Sequence, residues 1–99
     1  MARLLSNIEI DAALKSLPQW RVIREKLSRR YVCDDFVHVM RFVNLIAKEA
    51  ERANHHPDIS INYNKVTFAL TTHDDGGITE KDLSLARSIE GAAKGAGAR

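Results

Sequence analysis

Three of the four histidines in this 99-residue chain, His55, His56 and His73, fall in one stretch that begins with Glu51. Imidazole is the side chain best suited to proton transfer at neutral pH, because an unperturbed pKa near 6.5 lets one ring donate while another accepts. Glu51 lies one helical turn before His55, so a carboxylate can share the same region if a helix persists that far. A metal centre would also use His and carboxylate ligands. Adjacent histidines seldom both face one ion, however, and neither the HxxxH nor the HExxH spacing is present. A purely structural reading, in which the rings satisfy backbone groups at a hairpin mouth, is open to any one of them. Three converging imidazoles with nearby acids favour general acid-base chemistry.

The elements around these residues say why they should converge. Residues 36–53 carry an apolar stripe of helical period, and Pro57 biases His56 toward extended backbone, which predicts a helix ending near Asn54. The period then changes to two. Ile59, Ile61 and Tyr63 alternate with polar residues, as do Val66, Phe68 and Leu70, and Asn64-Lys65 separates the runs as a hairpin turn. Pairing Tyr63 with Val66 sets Ile61 against Phe68 and Ile59 against Leu70. Carried outward, that register places Pro57 opposite Thr72 and His56 opposite His73.

The remaining chain supplies a frame. Ser6-Asn7-Ile8-Glu9 has the form of a capping box, opening a short helix that Pro18 stops. Trp20 and Val22 begin one strand, and Leu27, Tyr31 and Cys33 share one parity of a second. Arg29 falls on that same inward parity, which predicts a position near an end or edge of the sheet. Asp34 or Asp35 caps the central helix, whose stripe is Phe36, Val39, Met40, Val43, Ile46, Ala47 and Ala50. Phe42 and Leu45 lie outside it, which implies self-association through this helix as a dimer or tetramer. Asp74-Asp75-Gly76-Gly77 reads as a tight polar turn. Thr79 caps a final helix with Asp82 at its third position, and Leu83, Ala86, Ile89 and Ala93 form the buried face. Asp82 serves either as part of that cap or to orient a histidine, and from Gly91 onward the tail is expected to fray. The order α-β-β-α-β-β-α predicts an α+β domain over residues 1–99, a four-stranded antiparallel sheet with three helices packed on one face.

At 44% hydrophobic and 28% charged, the composition is that of a globular protein, and no apolar run is long enough to span a membrane. The single cysteine, Cys33, cannot form an internal disulfide and reads as a small strand residue, which fits a cytoplasmic location. Arg21, Arg24, Lys26, Arg29 and Arg30 form a basic run, but a net charge of +2 and one interleaved aromatic, Tyr31, argue for a solvated hairpin rather than a nucleic-acid surface.

Glu51-Arg-Ala-Asn-His55-His56-Pro57, followed by Tyr63, Thr72-His73-Asp74 and Asp82, closely resembles the signature of the pterin-4a-carbinolamine dehydratases. Leu17-Pro18-Gln19-Trp20, Asp35-Phe36, Tyr63-Asn64-Lys65-Val66 and residues 83–86 extend the resemblance over roughly residues 6–90; Gln19 stands where a glycine is common. The resemblance implies an antiparallel sheet backed by three helices. It also implies loss of water from a 4a-hydroxytetrahydropterin, giving a quinonoid dihydropterin, without metal or redox cofactor. By that resemblance His55 and His73 are proton donors, His56 positions substrate, and Glu51 and Asp82 orient the rings. His55, His56, Pro57, Thr72, His73, Asp74 and Asp75 would bind the pterin. Some members of the family also act as dimerisation cofactors of a transcription factor, which leaves a binding module as the alternative.

Overall fold

The structure is a computed structural model that describes residues 2–99. Its elements are α1 (Asn7–Leu14), β1 (Arg21–Ile23), β2 (Lys26–Val32), α2 (Phe36–Ala53), β3 (Asp58–Asn62), β4 (Lys65–Leu70) and α3 (Glu80–Ala96), with a short 3-10 turn at His73–Asp75. The strands form one antiparallel sheet in the order β1-β2-β4-β3. This is the α+β architecture that the apolar periods predict.

Helix starts follow side-chain caps. Ser6 Oγ accepts from the Glu9 amide (3.1 Å) while Glu9 Oε1 accepts from the Ser6 amide (2.9 Å). Between the two candidate caps of α2 the structure selects Asp35, whose Oδ1 accepts from the His38 amide at 2.9 Å. That helix ends at Asn54, in left-handed geometry (φ 50°), and the His55 amide bonds back to Ala50 O at 3.1 Å. The chain therefore leaves α2 abruptly, with His55 held against the last turn.

One face of the sheet meets the helices. Leu27, Tyr31, Val66, Phe68 and Leu70 pack on Ile10 from α1, Val39, Phe42 and Ile46 from α2, and Leu83, Ala86 and Ile89 from α3. Tyr31, Phe42 and Phe68 meet edge to face, with ring centroids 5.1 to 6.0 Å apart. Phe42 is thus at the centre of the core, fully buried, which corrects the expected stripe of α2. The buried face is Val39, Phe42, Ile46 and Ala50, while Phe36 and Ala47 are exposed. The sequence pattern is apolar over more than half the helix circumference, so it cannot say which part of that arc turns inward.

Two further expectations shift. The β3–β4 register pairs Ile59 with Phe68 and Ile61 with Val66, two residues from the expected pairing. The turn is Tyr63-Asn64 rather than Asn64-Lys65, because Asn64 is tied to Cys33: the Cys33 amide donates to Asn64 O (2.8 Å) and Asn64 Nδ2 donates to Cys33 O (3.2 Å). Tyr63 takes the positive φ of 54° that the turn demands. A slip of two preserves which residues share a face, so the apolar pattern alone cannot detect it. At the other end of the chain, α3 continues through Gly91 and Gly95 to Ala96, past the point where fraying was expected. Ala93 is buried there, and the Arg99 and Val32 backbones exchange hydrogen bonds of 2.9 Å.

Arg29 does point inward, but from the interior strand β2 and not from an edge. Its guanidinium lies 3.9 Å from the Tyr31 ring centroid and pairs with Glu90 of α3. The same carboxylate accepts from Tyr31 Oη and from Trp20 Nε1 (3.0 Å). Burial pushes the Glu90 carboxyl up, but the bonds from Tyr31, Arg29 and Trp20 outweigh it and leave the group below the ordinary carboxylate range. Replacing Glu90 by Ala should lower unfolding free energy by about 2–4 kcal/mol, since Arg29 would keep a largely buried charge without a partner. Arg99→Ala, which removes an exposed pair with Asp34, should cost under about 1 kcal/mol in the same urea titration. Because the folded-state value of Glu90 is depressed, its contribution is present above the ordinary carboxylate range and is lost as pH falls through that lower value. Glu90→Gln should therefore flatten the acid limb of the stability curve, and an unchanged limb would refute this assignment.

Candidate functional site

The end of α2, the end of β4 and the start of α3 meet at Asp82. This side chain is fully buried, and both its oxygens are occupied. Oδ2 accepts from the Thr79 amide (2.9 Å), completing the capping box of α3, and from the Thr72 hydroxyl (2.9 Å). Since the Thr72 proton is directed at Asp82, the Thr79 hydroxyl donates to Thr72 Oγ1 at 2.8 Å, and Thr79 Oγ1 in turn accepts from the Lys81 amide at 3.2 Å. Oδ1 receives the Nε2–H of His55 at 2.6 Å. The sequence left Asp82 divided between a cap and a histidine partner; each of its oxygens takes one of those tasks. A carboxylate bound to Nε2–H leaves Nδ1 as the ring's second nitrogen for proton exchange.

The His55 side chain is 11% exposed, so its ring is held rather than free. His56 is the opposite case. Its Nε2–H donates to Glu51, and both side chains are largely exposed. Glu51 thus reaches past His55, one turn away, to the next ring. This follows from the left-handed Asn54, which ends the helical period before the histidines begin.

His73 stands on the 3-10 turn, exposed, with no side-chain hydrogen bond among the described residues. The turn is closed by Gly76 in left-handed geometry (φ 78°) and by a bridge between Thr72 and Gly77. Gly77 lies close to Leu4, whose Cδ2 would be 3.1 Å from an added Cβ. In the observed register His56 is level with Thr71 and not with His73, a consequence of the two-residue shift. The 3-10 turn nonetheless brings His73 to the same opening.

His55, His56 and His73 line one cleft of about 270 Å³ together with Asn54, Thr71, Thr72, Asp74 and Lys81. Of the residues expected there, Pro57 and Asp75 do not line it. Asp75 turns instead toward the amino-terminal segment, where Oδ2 accepts from the Ala2 amide at 3.3 Å. Glu51 and Asp82 stand behind the rings. Asn54, Thr71 and Lys81 were not anticipated. The first two adjoin residues that were, but Lys81 has no sequence pattern to mark it and enters the cleft only because α3 docks at this place. His38 is remote from the group and pairs with its own helix cap, Asp35 (2.7 Å). A groove of about 460 Å³ on the other side of His55, between α2 and α3, has His55 as its one imidazole and offers no comparable set of proton donors. No group of three or more His, Cys, Asp or Glu side chains among the described residues is arranged to hold a metal ion.

Residues 3–92 match the model of the family described as pterin 4 alpha carbinolamine dehydratase. A Cyanothece relative is 49% identical over 90% of this chain and 92% of its own length. A relative from Acidobacterium capsulatum is 52% identical over 82% of this chain and 88% of its own. Both are named provisionally as pterin-4-alpha-carbinolamine dehydratases. Among solved structures, a Brucella melitensis protein described as a transcriptional coactivator/pterin dehydratase superposes with a TM-score of 0.88, 32% identical, covering 92% of this chain and 99% of that one. A pterin dehydratase-like protein identified as a RuBisCO assembly factor of the alpha-carboxysome superposes with a TM-score of 0.65 over 76% of this chain and 89% of that one; at 20% identity it shares the fold.

The geometry separates the two acids. Asp82→Ala strands the Thr79 amide, the Thr72 hydroxyl and His55 in a buried place, and should destabilise the fold by about 2–4 kcal/mol. Glu51→Ala should change it by no more than about 0.5 kcal/mol, as for other exposed pairs. Thermal unfolding of the two variants would show the difference, and equal effects would contradict the arrangement. Long-range nitrogen NMR should find His55 as the Nε2–H tautomer.

Proposed function

Because this chain belongs to the pterin-4a-carbinolamine dehydratase family, we propose that it removes water from a 4a-hydroxytetrahydropterin to give the quinonoid dihydropterin, recycling the pterin cofactor of an aromatic amino-acid hydroxylase in the cytoplasm. The observation that carries this reading is the convergence of three imidazoles, two of them backed by carboxylates, on one polar cleft.

The elimination divides into proton transfers that such a cleft can perform. The bond from C4a to the hydroxyl oxygen breaks with its electron pair on oxygen, and a general acid supplies the proton that turns the leaving group into water. A base takes the proton from ring nitrogen N5, whose electron pair closes the new double bond to C4a. No electron enters or leaves the substrate, and acid and base groups suffice. His55 and His73 are the proposed proton donors to the hydroxyl. For His55, the Asp82 carboxylate fixes the orientation of the ring. His56, steadied by Glu51, positions the pterin, and Thr72 and Asp74 contact it from the other wall. Pro57 and Asp75 act from outside the cleft by shaping the two chain segments that border it.

Self-association through α2 is part of the proposal. Phe42 no longer argues for it, being core, but Phe36, Met40, Val43 and Ala47 recur at helical spacing beside the buried stripe. Phe36 is 49% exposed, whereas Leu45, 44% exposed, lies on the opposite flank of the helix and does not belong to this shoulder. A second copy would cover that shoulder as a dimer or tetramer. The class-different reading is a binding or coactivator module without dehydratase activity, which draws on the description of the Brucella protein.

Absorbance of a 4a-hydroxypterin followed with and without the protein distinguishes them, and a dehydration rate equal to the spontaneous one would favour the binding module. His55→Ala and His73→Ala should each lower turnover by on the order of 10²-fold or somewhat less, while His38→Ala changes it little. The double variant should lose much less than the product of the single losses, because both rings serve one transition state above an uncatalysed floor. Activity should survive dialysis against a strong chelator; loss restored only by zinc would overturn the mechanism. Sedimentation at micromolar concentration should show a dimer or larger, and Phe36→Asp should shift it toward monomer.

A further inference from the structure

The outer face of the sheet plays no part in the histidine cleft, and no helix covers it. Its side chains follow from the register. Arg21 pairs with Ser28, which pairs with Ala69, and in the next outward row Arg30 pairs with Thr67, which pairs with Ser60. Serine, alanine and threonine form a low centre, whereas the two arginines rise at one side. The result is a cleft of about 470 Å³ lined by Gln19, Arg21, Ile23, Ser28, Arg30 and Thr67, with Arg29, whose guanidinium pairs with Glu90, also at its border. Ser28 lies at its floor and is only 7% exposed, although it faces away from the core.

What sets this cleft apart is the adjacency of two guanidinium groups with no carboxylate between them. The cations Lys26, Arg3, Arg87 and Arg99 each have a carboxylate partner, and Arg29 has Glu90. Arg21 and Arg30 have none among the described residues, which is also true of Lys15, Arg24, Arg41, Lys48, Lys65, Lys81 and Lys94, but these two stand as diagonal neighbours on one strand pair. The one carboxylate on the outer face of the strands, Asp58, is bound by Lys26 at 2.7 Å. Diagonal neighbours on adjacent strands stand roughly 7 Å apart, so both guanidinium groups can close on one small anion.

We propose that this cleft binds the phosphate group of a small phosphorylated ligand. The planar fork of an arginine matches phosphate oxygens with two parallel donors, and two such forks with the Ser28 and Thr67 hydroxyls can satisfy all the outward oxygens. Ile23 provides an apolar wall for the rest of the molecule. A nucleic-acid strand fits less well, because the cleft carries no aromatic side chain on which a base could stack and the chain's net charge is only +2. The site is independent of the dehydratase reading, since none of its residues lines the histidine cleft.

Titration of the nitrogen-labelled full chain with inorganic pyrophosphate, at ionic strength held constant with sodium chloride, tests it. Saturable amide shifts should cluster at Arg21, Ser28, Arg30 and Thr67. Arg21→Gln and Arg30→Gln should each raise Kd about tenfold, as expected for loss of a charge-assisted contact. Dehydration turnover should be unchanged in both, and a spectrum otherwise superposable on that of the native chain verifies folding. Shifts that do not saturate, shifts spread over all surface cations, or unaltered binding by the double variant would overturn the proposal. So would binding of phosphatidate vesicles or a single-stranded oligonucleotide to this face without saturable binding of pyrophosphate.

Discussion

A buried carboxylate must have its oxygens occupied, and in this protein the groups that occupy those of Asp82 come from three separate segments. His55 follows α2, Thr72 follows β4, and Thr79 precedes α3. An ion with no access to water costs several kcal/mol unless hydrogen bonds replace its hydration, so these donors are constrained together. The place where the segments meet is consequently also the place where an imidazole is oriented. The same atom pair thus joins the segments and orients the His55 ring. His56 and His73 lack a buried partner: His56 is held by the exposed Glu51, and His73 makes no side-chain hydrogen bond among the described residues. They lie on the exposed side of the cleft.

A similar arrangement stands about two turns further along α3. Glu90 draws Trp20, Arg29 and Tyr31 onto one carboxylate, anchoring the helix across β1 and β2. Arg29 is accommodated on an inner strand position because Tyr31 offers its ring face and Glu90 its charge. Two acids of a single helix, Asp82 in its first turn and Glu90 near its middle, therefore tie it to the segments around it. The apolar residues between them, Leu83, Ala86 and Ile89, fill the space left over the aromatic group of Tyr31, Phe42 and Phe68.

The parts of this molecule that could be read in order along the chain were those set by local rules. Capping at Ser6 and Thr79, the end of α2 before Pro57, the two hairpins and the change of apolar period all depend on residues within a few positions of one another. The histidine group was legible for the same reason, since the hairpin returns the chain to the point from which it left the helix. What could not be read involved partners distant in sequence. Asn64 selects the hairpin register through Cys33, Arg29 is neutralised by Glu90, and Lys81 reaches the cleft through the docking of α3.

By itself, then, the sequence determined the order of elements, the residues that share each strand face and the set of side chains with proton-transfer chemistry. These follow from backbone preferences and from a period of two or 3.6, which one strand or helix expresses without help. Only the tertiary structure decided which arc of α2 faces the core, which acid serves which ring, and the register that sets His56 beside Thr71. Each of those is a choice among alternatives of equal local energy: a slip of two keeps every face, and an acid within one turn of His55 is as near in sequence as one that caps a later helix is far. Packing and the cost of an unpaired buried charge separate them, and both are properties of the assembled chain.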